Sequence, residues 1–228
     1  MDYRETPPPP HLAGLVKTRW TLSAKGAASE WLPQQATPDG CVEIIRRTCG
    51  RSRWDGDQPA SFVVGLVARP QPFEISGDGA FEALRLWPWA WEAIGMIALA
   101  GLHGRWAAWD APALDTIEAR LADEPGLNAI GAAILAAPTV AAMGEATAMP
   151  PRTLQRWFAR HVGMPPRAWL RLRRFQASFE TLPGEASLAG HAATQGYADQ
   201  AHMARDFRAL AGVTATAART RARGPFLD

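Results

Sequence analysis

Cysteine is scarce in this sequence, with Cys41 and Cys49 the only two among 228 residues. The five histidines are scattered, so no Cys/His cluster has the spacing of a zinc site. A disulfide between the two cysteines stays open, but two reduced thiols are the expectation we favour. We therefore expect no metal, no cofactor and no catalytic residue.

Long hydrophobic runs are also missing. The longest, Ala93 to Leu102, has ten residues and is too short to cross a membrane. The first residues, MDYRETPPPP, are charged and proline-rich and contain no apolar signal region. A hydrophobic content of 47% and a mean hydropathy of −0.15 are typical of a folded globular chain. We expect a soluble, cytoplasmic protein with no membrane partner.

The second half of the chain lacks lysine. Residues 126–228 contain 12 arginines and 6 acidic residues, whereas residues 1–125 contain 12 basic and 16 acidic residues. An acidic half joined to a basic half is typical of a sensor coupled to a module that binds a polyanion. A solvated charged face is the alternative, and charge alone does not decide between them.

Residues 1–110 contain eight of the ten tryptophans and several strand-like segments. The segments 41–48, 61–68 and 81–87 have the length and β-branched content of strands, and turn signals separate them. They predict a small antiparallel barrel or sandwich. Trp87-Pro88-Trp89 should then end a strand and begin an apolar helix over about 90–102.

The pattern becomes helical from residue 111. Leu114, Ile117 and Leu121 share one helical face within 113–123, in a predicted linker over 111–125. Seven further helices are expected, at about 127–137, 139–147, 151–162, 165–181, 187–195, 199–211 and 214–222. The predicted fold class is α+β, with a β-rich domain at 1–110 and an all-α domain at 126–228, each with its own core.

A degenerate repeat marks the second half. Residues 148–169 align with 195–215 at a spacing of 49, which places Phe158 on Phe207 and Gly163 on Gly212. Each copy reads as a short helix, a tight turn and an amphipathic helix that ends in glycine. Two helix-turn-helix units in tandem indicate a protein that reads DNA.

The second helix of each copy has one apolar and one polar face. Leu154, Phe158 and Val162 form the first apolar stripe, and Met203, Phe207 and Leu210 the second. The polar faces carry side chains that can bond base edges: Arg152, Gln155, Arg156, Gln200, His202 and Arg205. The alternative is that these side chains only keep two surface helices soluble. The occurrence of the same pattern in both copies argues against it.

The second copy resembles the AraC/XylS-type transcription regulators through Ala192, Gly196-Tyr197, Asp199 to His202, Arg205, Phe207 and Gly212. The resemblance covers about 138–221 and implies two helix-turn-helix units bridged by one long helix. It implies that the six polar residues named above contact bases. The expected phosphate contacts are Arg160, Arg167, Arg171 and Arg208. Ala148, Pro150, Ala215 and Ala218 depart from the family pattern.

The first half resembles, more loosely, small cupin-like sensor domains through 38–45, 63–70 and 83–88. Trp87, Trp89 and Trp91 are candidates for a ligand pocket, although core filling is the favoured role of most of these tryptophans. The alternative function is a cupin-type metal-dependent enzyme using His11, His103 and Glu43, with an auxiliary basic domain. The expected partner is double-stranded DNA. A small-molecule effector, a homodimer and, for an activator, RNA polymerase are left open.

Overall fold

The computed structural model describes residues 1–95, 98–182, 187–223 and 226–227. In that part of the chain, an N-terminal antiparallel β structure is followed by helices, which confirms the α+β fold class. The first sheet has the strand order β1-β2-β8-β4-β6-β9 and the second β10-β11-β3-β7-β5. The strands are β1 (Asp2–Thr6), β2 (Val16–Ser23), β3 (Trp31–Ala36), β4 (Val42–Cys49), β5 (Ser52–Arg53), β6 (Ser61–Val64), β7 (Gln71–Ser76), β8 (Ala80–Leu86), β9 (Trp106–Ala108), β10 (Ala222–Arg223) and β11 (Phe226–Leu227).

The three predicted strands correspond to β4, β6 and β8. Strand β6 is shorter than predicted and ends at Val64, and the backbone of Leu102 packs directly on the next residue, Gly65. A Cβ at Gly65 would lie 2.1 Å from the Leu102 carbonyl oxygen. Strand β2 was not predicted, although its residues alternate between buried and more exposed positions, as a half-buried strand requires.

The chain after Trp87 corrects one prediction. The expected apolar helix over 90–102 is a 3₁₀ turn at Pro88–Ala90, a single helical turn α1 (Trp91–Ile94) and a second 3₁₀ turn at Leu99–Leu102. Residues 96–97 lie outside the described chain. Helix α1 ends because Gly95 is extended (φ −86°, ψ 140°), with the Trp91 ring against its backbone.

The helix predicted over 113–123 and all seven further helices are confirmed within the described residues. They are α2 (Leu114–Ala122), α3 (Pro125–Ala136), α4 (Val140–Ala146), α5 (Pro151–His161), α6 (Pro166–Thr181), α7 (Leu188–Thr194), α8 (Gln200–Leu210) and α9 (Ala215–Arg221). Proline occupies the first position of α3, α5 and α6, where its missing N–H costs nothing. Thr139, Ser187 and Asp199 cap α4, α7 and α8 through their side chains.

Part of the apolar core crosses the point where the composition changes. One buried cluster contains Trp87 and Trp89 from the β-rich part, Leu154 and Phe158 from α5, and Trp169 from α6. A separate cluster begins at Leu172 and gathers the other half of α6 with α7, α8 and α9. A third cluster, which includes Trp20, Phe62 and Phe81, lies within the β-rich part alone. Each half therefore contains a core of its own, and the first cluster joins the two halves because tryptophans of the β-rich part pack directly on the first helical unit. The domain limits at 110 and 126 stay a prediction.

The turn between α4 and α5 is strained, which leads to a stability prediction. Ala148 has φ +53°, in the left-handed region, at the position where the second unit has Gly196 with φ +71°. An alanine in this region costs about 1–2 kcal/mol, partly offset by the extra chain entropy of glycine. We expect Ala148→Gly to stabilise the protein by about 0.5–1 kcal/mol in urea unfolding.

Gly196→Ala is the matched control for this prediction. No atom lies within 4 Å of a Cβ built at Gly196, so the substitution introduces backbone strain without a steric clash. It should destabilise the protein by about 1 kcal/mol. An Ala148→Gly variant that is less stable than the parent would contradict the assignment of strain to this turn.

Candidate DNA-binding surface

Two helix-turn-helix units lie on either end of α6. The first consists of α4, the turn at Ala148 and α5, and the second of α7, the turn at Gly196 and α8. Each second helix is followed by a glycine in the left-handed region, Gly163 with φ +75° and Gly212 with φ +71°. This is the usual C-terminal glycine stop of a helix. The repeat read from the sequence is thus a repeat of local structure.

Helix α5 presents the predicted faces. Leu154, Phe158 and Val162 are at most 1% exposed. Arg152, Gln155 and Arg156 are exposed on the other side of the helix. The three polar side chains are therefore brought together on one accessible surface.

Helix α8 presents a similar but not identical surface. Met203, Phe207 and Leu210 are buried, while Gln200 and Arg205 are exposed. His202 is only partly exposed because its ring stands edge-on against Tyr197, with ring centroids 5.2 Å apart. The exposed face of α8 is therefore flanked by a histidine that contacts the Tyr197 ring.

The four arginines expected on phosphates have different surroundings. Arg167 and Arg208 are exposed. Arg160 bonds the Glu92 carboxylate at 2.6 Å, which ties α5 to the β-rich part of the chain. Arg171 bonds Asp206 at 2.8 Å, and the Asp206 side chain is 4% exposed. Arg160 and Arg171 thus have partners inside the protein that the sequence did not predict.

Arg173 and Arg174 were missed by the sequence reading. Arg173 donates to the Leu135 carbonyl at 3.1 Å, and Arg174 donates to the Gly196 carbonyl at 3.2 Å. Burial lowers the pKa of Arg173, whose guanidinium lies 5.1 Å from the Trp169 ring centre. The usable signal was the spacing of four residues from Trp169 to Arg173, which places both on one side of α6. These adjacent arginines connect the bridging helix to α3 and to the turn of the second unit.

A broad groove runs between the two units along α6. Its volume is about 1180 Å³, and it is lined by the end of α3, by α6 and by the α7–α8 turn. Its basic lining residues are Arg167, Arg171, Arg173, Arg174 and His202. The groove therefore has a positively charged floor along α6.

The three tryptophans proposed for a ligand pocket are core residues instead. Trp87, Trp89 and Trp91 are at most 9% exposed. The Trp89 ring lies 5.2 Å from that of Trp169, and its indole N–H donates to the Gly14 carbonyl at 2.6 Å. Among the cavities of the described chain, the one between the two sheets, about 70 Å³, is lined by other residues, including Trp20 and Trp54.

The residues of the metal-enzyme alternative are not brought together. Glu43 bonds the Arg85 guanidinium at 2.5 Å, and His103 bonds the Val162 carbonyl at 3.1 Å. His11 is exposed on a 3₁₀ turn. Within the described ranges, no cluster of three or more His, Cys, Asp or Glu side chains could hold a metal ion. A membrane-spanning helix is likewise not found in those ranges.

Comparisons with known proteins give two family matches in separate parts of the chain. Residues 143–221 match a family described as Helix-turn-helix domain, and residues 4–106 match one described as Domain of unknown function (DUF6597). A search among curated proteins finds no match.

Solved structures of ToxT from Vibrio cholerae are similar in overall arrangement. ToxT from strain O395 bound to (E)-4-(8-methylnaphthalen-1-yl)but-3-enoic acid is 8% identical, with 94% of this chain and 97% of that chain covered and a TM-score of 0.46. Wild-type ToxT from strain SCE256 bound to unsaturated fatty acid is 11% identical, with 86% and 91% covered and a TM-score of 0.43. At these values the likeness alone establishes neither a shared fold nor a shared ligand.

Two successive helix-turn-helix units with exposed arginines on their second helices define a DNA-binding protein. Residues 143–221 form a helix-turn-helix domain of the AraC type, joined to an N-terminal antiparallel β domain. The chain is accordingly a DNA-binding transcription regulator.

Proposed function

We propose that one copy of this chain binds DNA sequence-specifically by placing α5 and α8 in two successive major-groove segments. The observation that carries the proposal is the exposure of Arg152, Gln155 and Arg156 on α5, with Gln200 and Arg205 on α8. Arginine bonds guanine bidentately and glutamine bonds adenine in the same way. Because the two sets of residues differ, the two halves of the site should differ in sequence.

The separation of the two reading helices would be set by contacts of α6. Trp169 packs with the first unit, and Phe175 and Phe179 pack with the second. The Arg171–Asp206 ion pair joins α6 to α8, Arg174 bonds the turn of the second unit, and Arg173 bonds α3 just before the first unit. These contacts support a fixed spacing, so that the subsites lie about 10–10.5 base pairs apart on one side of the duplex.

We also propose that a small molecule controls DNA binding, without assigning its identity. The cavity between the two sheets could accept an effector, and the buried tryptophan cluster connects the β domain with the first reading unit. Neither a homodimer nor contact with RNA polymerase is required for this binding mode, and both stay predictions. The proposal contains no catalytic step.

Base-contact substitutions test the proposal. Arg156→Ala or Arg205→Ala should cost about 1–3 kcal/mol of binding to the selected site and relax the preference at one base pair of the matching subsite. The loss reflects a bidentate contact to one base edge. Competition binding against duplexes with single base changes measures it.

Arg208→Ala is the matched control, since Arg208 is exposed on α8 and is expected on a phosphate. It should weaken binding to all sequences alike and reduce the slope of log K against log salt by about 1. Arg160 is unsuitable as a control because it is paired with Glu92. If Arg156→Ala weakened selected and random duplexes equally, the assignment of the α5 face would be wrong.

A further inference from the structure

The two sheets of the β domain enclose adjoining cavities. The larger has a volume of about 70 Å³ and the smaller about 30 Å³. Ala36, Glu43 and Val64 line both of them. A small ligand in the larger cavity would therefore lie next to the Glu43 side chain.

The larger cavity has an aromatic lining. Five rings contribute to it, those of Trp20, Trp54, Phe62, Phe73 and Phe81. Ring faces of this kind bury apolar groups and also attract cations. The lining suits a ligand that has an apolar body and a positively charged group.

Carboxylates outnumber cations where the two cavities meet. Arg85 is 1% exposed and bonds three of them, Glu5 at 3.0 Å, Asp39 at 3.0 Å and Glu43 at 2.5 Å. The neighbouring Lys17 is bonded to Glu180 at 3.0 Å. Burial raises the pKa of Glu43, and Arg85 opposes that rise. One guanidinium shared by three carboxylates leaves this end of the cavity negative, which disfavours an anionic ligand.

A buried hydroxyl without a partner also lines the larger cavity. Ser52 is 2% exposed, and its Oγ forms no hydrogen bond with any described residue. A buried polar group that lacks a partner is costly to the folded protein. A polar group of a ligand inside the cavity would satisfy it.

We propose that this cavity binds a small organic cation, a primary ammonium on a body of about two carbons, with the ammonium bonded to Glu43. The size follows from the cavity, which has about half of the 150 Å³ that admits the six carbons of benzene elsewhere. The proposal deepens, and rests on, the small-molecule control proposed for this domain.

The test compares ethylammonium with ethanol and acetate, which have a body of similar size and a different charge. Titration calorimetry on the full chain should show ethylammonium binding about tenfold more tightly than ethanol, because a charged hydrogen bond is the stronger one. Acetate should bind most weakly. Glu43→Gln should remove the preference for the ammonium, whereas the surface control Glu74→Gln should leave it unchanged.

Ser52→Val provides a second variant, since it fills part of the cavity with an apolar group. It should weaken the binding of ethylammonium and of ethanol by the same factor and leave the ratio of the two affinities unchanged. Acetate binding as tightly as the ammonium, no binding of any of the three compounds, or a preference that survives Glu43→Gln would overturn the proposal. DNA binding measured on the same samples separates the two proposals, because intact specific DNA binding without ammonium preference overturns only the ligand assignment.

Discussion

Trp169→Ala should destabilise the protein by about 3–5 kcal/mol, the cost of removing a large ring from a closed core. The ring is 0% exposed and lies against Trp87, Trp89 and Phe158. Its indole N–H donates to the Gly40 carbonyl at 3.0 Å, so the substitution also leaves a buried acceptor without its donor. Urea unfolding followed by far-UV circular dichroism measures the loss.

Trp31→Ala is the control for Trp169→Ala. Trp31 is only partly buried and carries Arg51 and Arg53 over its ring. Removing this ring should cost about 1 kcal/mol, mainly the lost cation–π contacts. If the two alanine substitutions cost the same, Trp169 would not be the residue that joins the β domain to the bridging helix.

Arg85→Met should also destabilise the protein by about 3–5 kcal/mol, because removing one partner of a buried ion pair leaves charge without compensation. Three carboxylates surround this guanidinium, and the Glu43 side chain is 17% exposed. Burial already raises the pKa of Glu43. Because the pKa of Glu43 is raised in the folded state, its ionised form destabilises the protein at pH values above that pKa, and its protonation at lower pH removes this cost. The free energy of unfolding lost in Arg85→Met should therefore become smaller as pH falls.

Arg53→Met is the matched control for the buried arginine. Arg53 pairs with Glu74 at 2.5 Å, but both side chains are over a third exposed. An exposed pair of this kind contributes about 0–1 kcal/mol. Chemical denaturation of both variants at neutral and at acidic pH makes the comparison. Equal losses for Arg85→Met and Arg53→Met would show that the buried cluster is not an energetic centre of the β domain.

The helical half could be predicted closely because its signals are local. The spacing of Leu154, Phe158 and Val162 reports the buried face of α5 without knowledge of the rest of the chain. Prolines at helix starts and a capping Asp199 set the helix limits in the same local way. The exposed residues of α5 and α8 follow directly, since the face opposite a core stripe is accessible.

The contacts between the two halves could not be predicted in this way. Trp89 and Trp169 are 80 positions apart, and nothing local to either shows that their rings meet. The same holds for the ion pair between Arg160 and Glu92. From the sequence alone, Arg160 is expected to contact solvent or a phosphate. Strand β11 pairs with β3 although the two strands lie near opposite ends of the sequence, with Phe226 opposite Ala36. Contacts of this kind depend on the assembled fold.

The central claim is that one chain reads two different subsites held at a fixed distance. Helix α6, with 16 residues, is about 24 Å long and packs on both units, so it should not adapt to a changed spacing. The direct measurement is the affinity of the full chain for a duplex selected from random sequences, compared with versions carrying five or ten extra base pairs between the subsites. The account predicts that both insertions lower the affinity to that of a duplex with one subsite scrambled. Unchanged affinity after the five-base-pair insertion, or selection of a single short palindrome, would contradict it.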